Sequence, residues 1–442
     1  MRLPENRTKR GIALLTTLFA LAIVSVIGFA IVTLSLTEYR TTNSNIMISQ
    51  AYYCARSGIA MAKANLKSNY NWTGTGSTPG VCGDGNFQVT SVYYGSGTNN
   101  KCWLVTSVGT YQNATRTLKI WMGLDSFAKF AYFTNQELCS AIVGGSGVIW
   151  FTDRDKINGP VHTNGYFSIS GTPDFSDKMT SANTSDSCYN SSTKKYTQGG
   201  KTYTDLSKFY RYYSSYSTDY PVALDGSESF SFSGAQPSVP LPEDTGSILS
   251  NATKTYACDT TILLKDDGTM NVTYTKSGVT KTDNLSTSNT TLYIDGKVSI
   301  KGTLSGKLTV GSTGNISITD NLLYKDKSKD VLGLCSNGYI KIDTASVGHQ
   351  NLEIDAAMLA LNDSIYYPGY SNGRTMGTLT VYGSLIQKKR GPVSQFSGNT
   401  ITSGYAKNYI YDQKLMESPP PNFPTTGSVV VRAWRDMNAL GN

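Results

Sequence analysis

The chain has 442 residues, enough for two or three domains, and its 39 Lys and Arg against 31 Asp and Glu give a formal charge of +8. Spread over that length the charge is a mild bias, which excludes the basic footprint of a nucleic-acid-binding protein. Charged residues make up only 16%, with 42 Gly and 29 Tyr, and Ser, Thr and Asn abound after position 68, a composition typical of β-rich extracellular surfaces.

In chain order, Arg2, Glu5, Arg7, Lys9 and Arg10 form a basic leader over residues 1–11. Ile12 to Leu36, IALLTTLFALAIVSVIGFAIVTLSL, then carries neither charge nor proline. As an α-helix it spans about 37 Å, enough to cross a bilayer core of about 30 Å. The basic flank stays cytoplasmic, so the chain from Glu38 onward is expected outside the inner membrane. A cleaved secretory signal would be shorter and would end at a small-x-small site; Leu36, Thr37 and Glu38 make a poor one. A plain membrane anchor would end in a flexible linker. Instead, helical character continues through EYRTTNSNIMISQAYYCARSGIAMAKANL, where Met47, Ala51, Cys54, Gly58 and Met61 fall four and three apart. One helix is therefore expected over 12–68, lipid-compatible over 12–36 and amphipathic beyond.

Three stretches carry a resemblance: Lys9-Arg10-Gly11, the apolar run from Ile12, and TEYRTTNSNIMISQAYYCARSGIAMA. Together they resemble the type IV pilins and, more narrowly, PilX-like minor pilins. The resemblance implies cleavage between Gly11 and Ile12 by a prepilin peptidase on the cytoplasmic side. It further implies that the apolar segment is kept and packs against other pilins and minor pilins in a filament. Most pilins place Glu at the fifth mature position, where this chain has Thr16. A carboxylate buried among apolar helices needs a partner, which in the family is a neighbouring subunit's N-terminal amine. Without it, placement at a tip or initiation complex is more natural than repetition along the shaft.

Residues 69–124 read as a small antiparallel sheet. After a Gly/Thr/Ser-rich loop at 71–85, strands are expected over 86–94, 102–108 and 115–122, joined by GSGTNNK and GTYQNA. Such a meander has one apolar face that must be covered, and the amphipathic half of the helix can cover it. The run LVTSVGTYQNATRTLKI also resembles strand–turn–strand segments of PilX-like heads. Cys54, Cys82, Cys102, Cys139, Cys188, Cys258 and Cys335 include no CxxC pair. Cys82 and Cys102 flank the first hairpin and are the favoured disulfide; free buried thiols are the alternative.

Residues 125–435 are expected to form a large all-β module, with a short tail over 436–442. Short apolar pairs at 298/300, 316/318, 340/342, 359/361 and 379/381 recur at about 20-residue steps between Gly turns, which suggests a parallel β-solenoid; an irregular β-sandwich is the alternative. INGPVHTNGYFSISGTPDFSDKMTSA (157–182) reads as a coil at the start of the same body. With GPVSQF and NYIYDQKLMESPPPNFPTTG, it resembles an uncharacterised bacterial domain found behind PilX-like N-termini. Residues 183–290 read as a surface insertion, and Val429 to Trp434 as a returning edge strand.

Signals for chemistry are sparse. His162 and His349 are the only histidines, and VGGSGV at 143–148 lacks the spacing of a nucleophile elbow. His162, in a GPVHTNG turn, is expected to be structural. Asp153 and Asp155 are flanked by Arg154 and Lys156. Asp320, Asp326 and Asp330 have cation-like spacing but are interleaved with Lys325, Lys327 and Lys329, which favours a solvated loop. Lys388, Lys389 and Arg390 read as a solvated turn. No catalytic, cofactor-binding or metal-binding residue is assigned, and no cofactor is expected. Tyr210, Tyr212, Tyr213 and Tyr216, beside Lys208 and Arg211, suit stacking on sugars or single-stranded nucleic acid; a Tyr-rich strand packed on the module is the plainer alternative.

The sequence thus predicts an α+β protein: a long N-terminal helix packed on a small antiparallel sheet, followed by a solenoidal all-β module. The expected work is non-enzymatic: assembly initiation or tip display in a type IV pilus or related secretion filament. A membrane-anchored adhesin binding glycan or DNA, and an extracytoplasmic polysaccharide-active enzyme, are the alternatives.

Overall fold

The computed structural model describes residues 6–94, 102–139, 149, 151–152, 155–165, 169–170, 174–177, 179–182, 237–344, 351–397 and 400–437, with six short strands between 189 and 233; side chains are not described for 6–13, 138–139, 169–174 and 183–236. The chain divides into two compact units. One holds 1–94, 102–123 and 429–442, and the other holds 95–101 and 124–428.

The first unit is built on α1 (Asn6–Ser68). Nothing breaks this helix until Asn69, whose side chain accepts from Asn71 N–H, 3.0 Å away, and turns the chain. Its second half buries Ala51, Cys54, Ala55, Gly58, Ala62 and Leu66. The stripe thus runs through Ala62, and Met61, expected on it, is exposed. This stripe lies on β3 (Cys102–Tyr111), β2 (Gly85–Tyr93) and β1 (Gly80–Cys82), and β4 (Ala114–Ser126) extends the same sheet beyond β3, each strand antiparallel to the next. Alternation puts Phe87, Val89, Trp103, Val105, Leu118, Ile120 and Met122 on the covered face. Trp103 donates from its indole N–H to Tyr70 O, 3.0 Å away, and Tyr70 stacks on its ring. Small residues bring the layers together: a side chain at Gly109 would overlap Ala51 O and Ala55 N of the helix.

β5 (Thr425–Asp436) completes the sheet, in the order β1-β2-β3-β4-β5. Sequence reasoning foresaw an edge strand here but allotted residues as far as 435 to the second module. Hydrogen bonding to β4 instead places residues from Val429 onward in the first unit.

The second unit is β-rich, with a mixed sheet of 21 strands. Parallel ladders dominate it. One passes through Leu292, Val310, Leu334, Met358, Leu385, Tyr132, Val161 and Met179. A second passes through Thr260, Val298, Ile316, Ile340 and Ile365. A third passes through Gly302, Leu322, Ile354, Val381, Tyr409, Ile157 and Phe175. Apart from Thr260 and Gly302, these side chains form the apolar core, and each is almost wholly buried. Antiparallel pairs interrupt the ladders: Thr260–Leu264 with Thr269–Lys276, that strand with Val279–Ser286, and Ser394–Ser397 with Thr400–Tyr411.

Two expectations are corrected. The pairs at 359/361 and 379/381 do not continue the column of 298, 316 and 340. Leu359 lies beside Cys335 and Ile386, and Leu379 beside Leu352, whereas Ile365 is the residue that follows Ile340. Nor is 183–290 a surface insertion throughout. Lys254–Tyr256 and Thr260–Leu264 pair in parallel with Leu292–Ile294 and Val298–Gly302, and Tyr256, Ile262, Leu264, Met270 and Val272 are buried.

Candidate functional site

The first half of α1 is long and apolar enough to cross a membrane, and none of that window is buried. Three of its hydroxyls are turned inward to the backbone. Thr17 donates to Leu14 O at 2.9 Å, Ser25 to Leu21 O at 2.8 Å and Thr33 to Ala30 O at 2.9 Å. These bonds satisfy the hydroxyls without water, as a lipid-facing surface requires. No carboxylate lies between Glu5 and Glu38. Gly11 and Ile12 sit inside the helix.

The expected Cys82–Cys102 disulfide is absent. Cys82 pairs with Gly85 at one end of β2, while Cys102 lies at the other end of the ladder, beyond the Tyr93–Trp103 pair. Some eight residues of strand, about 27 Å, separate them, whereas a disulfide needs Cα atoms within about 7 Å. Neither is bonded to another cysteine in the structure. What the sequence did not reveal is that Cys82 faces the helix: Cys54 Sγ lies 3.6 Å from Cys82 O, and Ser57 Oγ lies 3.4 Å from Cys82 Sγ.

Of the aromatic run, Tyr210 lies in the short strand Phe209–Tyr210, paired with Val222–Ala223; Tyr212, Tyr213 and Tyr216 fall outside the described residues, as do Asp153 and His349. His162 is buried, with Nδ1 2.8 Å from Thr180 Oγ1 and Nε2 3.2 Å from Asn164 Oδ1, and its ring stacks against both Phe130 and Phe133, which also touch each other. Burial lowers its pKa, and the nearby Lys129 cation adds to this. Asp326 and Asp330 hold their own turn: Asp326 accepts from Ser328, and Asp330 accepts from Gly306 N–H and Asp326 N–H, both at 2.7 Å. Hydrogen bonds from Ser328 hold the Asp326 carboxyl down at about 2.

Lys388–Arg390 is not a solvated turn but the end of the strand Thr375–Arg390. Arg390 is interior, bonded to Glu137 Oε2 at 3.1 Å and to Ile149 O at 3.0 Å, with its guanidinium 3.5 Å from the Phe151 ring centre. Nearby, Lys407 pairs with Asp155 at 2.6 Å, both buried. Burial raises the pKa of Glu137 against the pull of Arg390, and lowers that of Lys407 against the pull of Asp155. Two acids and two bases thus balance in the core, where their burial suits a structural lock.

A second cluster is more open. Lys327 Nζ lies 2.5 Å from Glu353 and 3.4 Å from Asp355, and 4.7 Å above the Tyr382 ring. Lys414 pairs with Asp412 at 2.7 Å. Burial pushes the Asp355 carboxyl up to about 6, although Tyr324 N–H and Lys327 oppose it.

A cavity of about 370 Å³ opens beside the second ladder. Thr261, Ser299, Ser317 and Lys341 stand in register along its floor, and Tyr274 and Tyr339 flank it. Lys341 is paired with Asp343 at 2.6 Å. Hydroxyls in a row beside aromatic rings can hydrogen-bond and stack on a polyol.

A family described as a Domain of unknown function (DUF4900) matches residues 104–188. No curated protein matches the chain. Among solved structures, the chain shows a weak similarity to the competence-associated pilin ComZ from Thermus thermophilus, at 12% identity and a TM-score of 0.30, over 88% of this chain and 97% of that one.

Proposed function

We propose that this chain is a PilX-like minor pilin: a structural subunit of a type IV pilus or related secretion filament that acts in assembly initiation or tip display. One observation carries the reading. A single helix exposes an unbroken apolar surface over its first half and docks its second half on an antiparallel sheet. An apolar rod whose hydroxyls at Thr17, Ser25 and Thr33 are bonded to its own backbone is at home in a bilayer and, equally, among the rods of other pilins. Prepilin peptidase cuts between Gly11 and Ile12 at the inner membrane, and the folded part is extracytoplasmic. The second unit is a β-solenoid whose three ladders are the faces of successive coils, and its role is display, not catalysis. N-terminal sequencing of the mature chain tests the reading. Ile12 at the start is expected; an intact Met1 would favour a tethered adhesin, and a start beyond 36 would overturn both.

The adhesin reading has one observation in its favour, the hydroxyl-lined cavity beside Tyr274 and Tyr339. Retention of the protein on immobilised glycans, lost in Ser299→Leu/Ser317→Leu, is the result it requires.

A further inference from the structure

We infer that Cys54 and Cys82 form a disulfide in the mature protein, stapling the docked half of α1 to the β1–β2 hairpin. The inference rests on the proposed extracytoplasmic position of the head, because a disulfide persists only in an oxidising compartment.

The geometry is local and specific. Cys82 ends β1, and its thiol sits over the helix 3.4 Å from Ser57 Oγ, one turn beyond Cys54. Cys54 Sγ reaches across the same gap to within 3.6 Å of Cys82 O, so both sulfurs stand at the one junction of α1 with the β1–β2 turn. Gly85, the residue paired with Cys82, leaves room for this approach: a Cβ there would stand 2.6 Å from Cys54 Sγ. The link would close a long loop that holds the helix end and the whole turn into the sheet. On the helix side the contact is otherwise made largely by small residues, Ala51, Ala55, Gly58 and Ala62, with Leu66 at its end.

The chemistry needs an acceptor for two electrons, which a disulfide oxidant of the thioredoxin class supplies. Cys82 is half-buried, whereas Cys54 is enclosed and burial pushes its thiol up to about 11. Cys82 is therefore the first nucleophile. Its thiolate attacks the oxidant's disulfide, and one oxidant sulfur leaves as a thiolate. Cys54, giving up its proton, then attacks Cys82 Sγ and displaces the second oxidant sulfur. The chain gains an S–S bond, and the two protons lost by its thiols appear on the oxidant's dithiol.

The test uses the full-length chain extracted from membranes in detergent, with free thiols alkylated throughout. Digestion without reductant should yield the Cys54 and Cys82 peptides as one species, lighter by two hydrogens than their sum, and reductant should part them. In Cys54→Ser, Cys82 should become alkylatable, and in Cys82→Ser, Cys54. Recovery of both residues fully alkylated from the unreduced wild type would overturn the inference. Exposure of the reduced protein to oxidised glutathione then locates the error. A bond formed only there means that the head does not meet an oxidising compartment; a bond formed in neither case means that the sulfurs do not meet, and the location reading stands.

Discussion

Arg390 donates to Glu137 across 3.1 Å at a place where each side chain is only 3% exposed. Their chain separation is 253 residues, so this bond adds a side-chain tie to the ladder that joins the strand Tyr132–Cys139 to Thr375–Arg390. Arg390→Ala leaves a carboxylate in the core and should cost about 3–5 kcal/mol. Replacing both, as Glu137→Leu/Arg390→Met, should cost far less, because no unpaired charge remains. Urea denaturation of the two variants against the wild type reads the difference.

Close approach of α1 to β3 depends on an absent side chain. Gly109→Val would drive two methyl groups into helix backbone at Ala51 and Ala55. A loss of about 3 kcal/mol or more is expected, with the head losing protection from proteolysis. Gly76→Ala, where a Cβ would meet nothing within 4 Å, serves as a control. Its left-handed backbone, φ 65°, should limit the cost to about 1 kcal/mol.

Asp355 sets a pH dependence. Its carboxyl ionises near 6 in the folded protein, raised by burial from the ordinary 3.8. A carboxyl raised in this way contributes stability that is full below about pH 4 and is lost as pH rises through about 6. Asp355→Asn should erase this slope, gaining on the wild type by about 2–3 kcal/mol between pH 4 and pH 7. Thermal midpoints across that range measure it; parallel curves for the two proteins would contradict the assignment.

The exposed half of α1 should tolerate Leu at any position and fail with charge. Val24→Lys/Ile27→Lys adds about 2.5–3.5 kcal/mol per lysine to insertion at the centre of a span. Loss of the chain from the carbonate-resistant membrane fraction is expected; full retention would contradict the membrane reading.

Much of the first unit is legible in the sequence because its signals are local. The apolar run, the helical stripe and the alternation in Phe87–Val89 and Leu118–Ile120–Met122 each fall within a few residues. Even there, the four-and-three spacing chose Met61 over Ala62, because small residues weigh little in a hydrophobic pattern although they are what a tight helix–sheet contact needs. The second unit is only half legible. Val298/Ile300 and Ile316/Ile318 stand side by side in one parallel ladder, as their spacing suggests, but Thr260–Leu264 is followed by two strands that pair antiparallel, and another ladder joins Leu385 to Tyr132, far upstream. Arg390 read as solvated because its partner, Glu137, is equally distant. The cysteine error has the same origin: Cys82 and Cys102 flank a hairpin in sequence, but the antiparallel register sends them to opposite ends.

The position of β5 has a consequence for biosynthesis. Residues 425–436 border a sheet whose other four strands are all made before residue 127, so some three hundred residues must leave the ribosome before β4 acquires its neighbour. Until then, β4 offers an open backbone edge to any passing chain. Completion of the head thereby reports that translation has passed residue 436, and a protein cut short before it would carry a sticky flank that quality-control proteases could recognise.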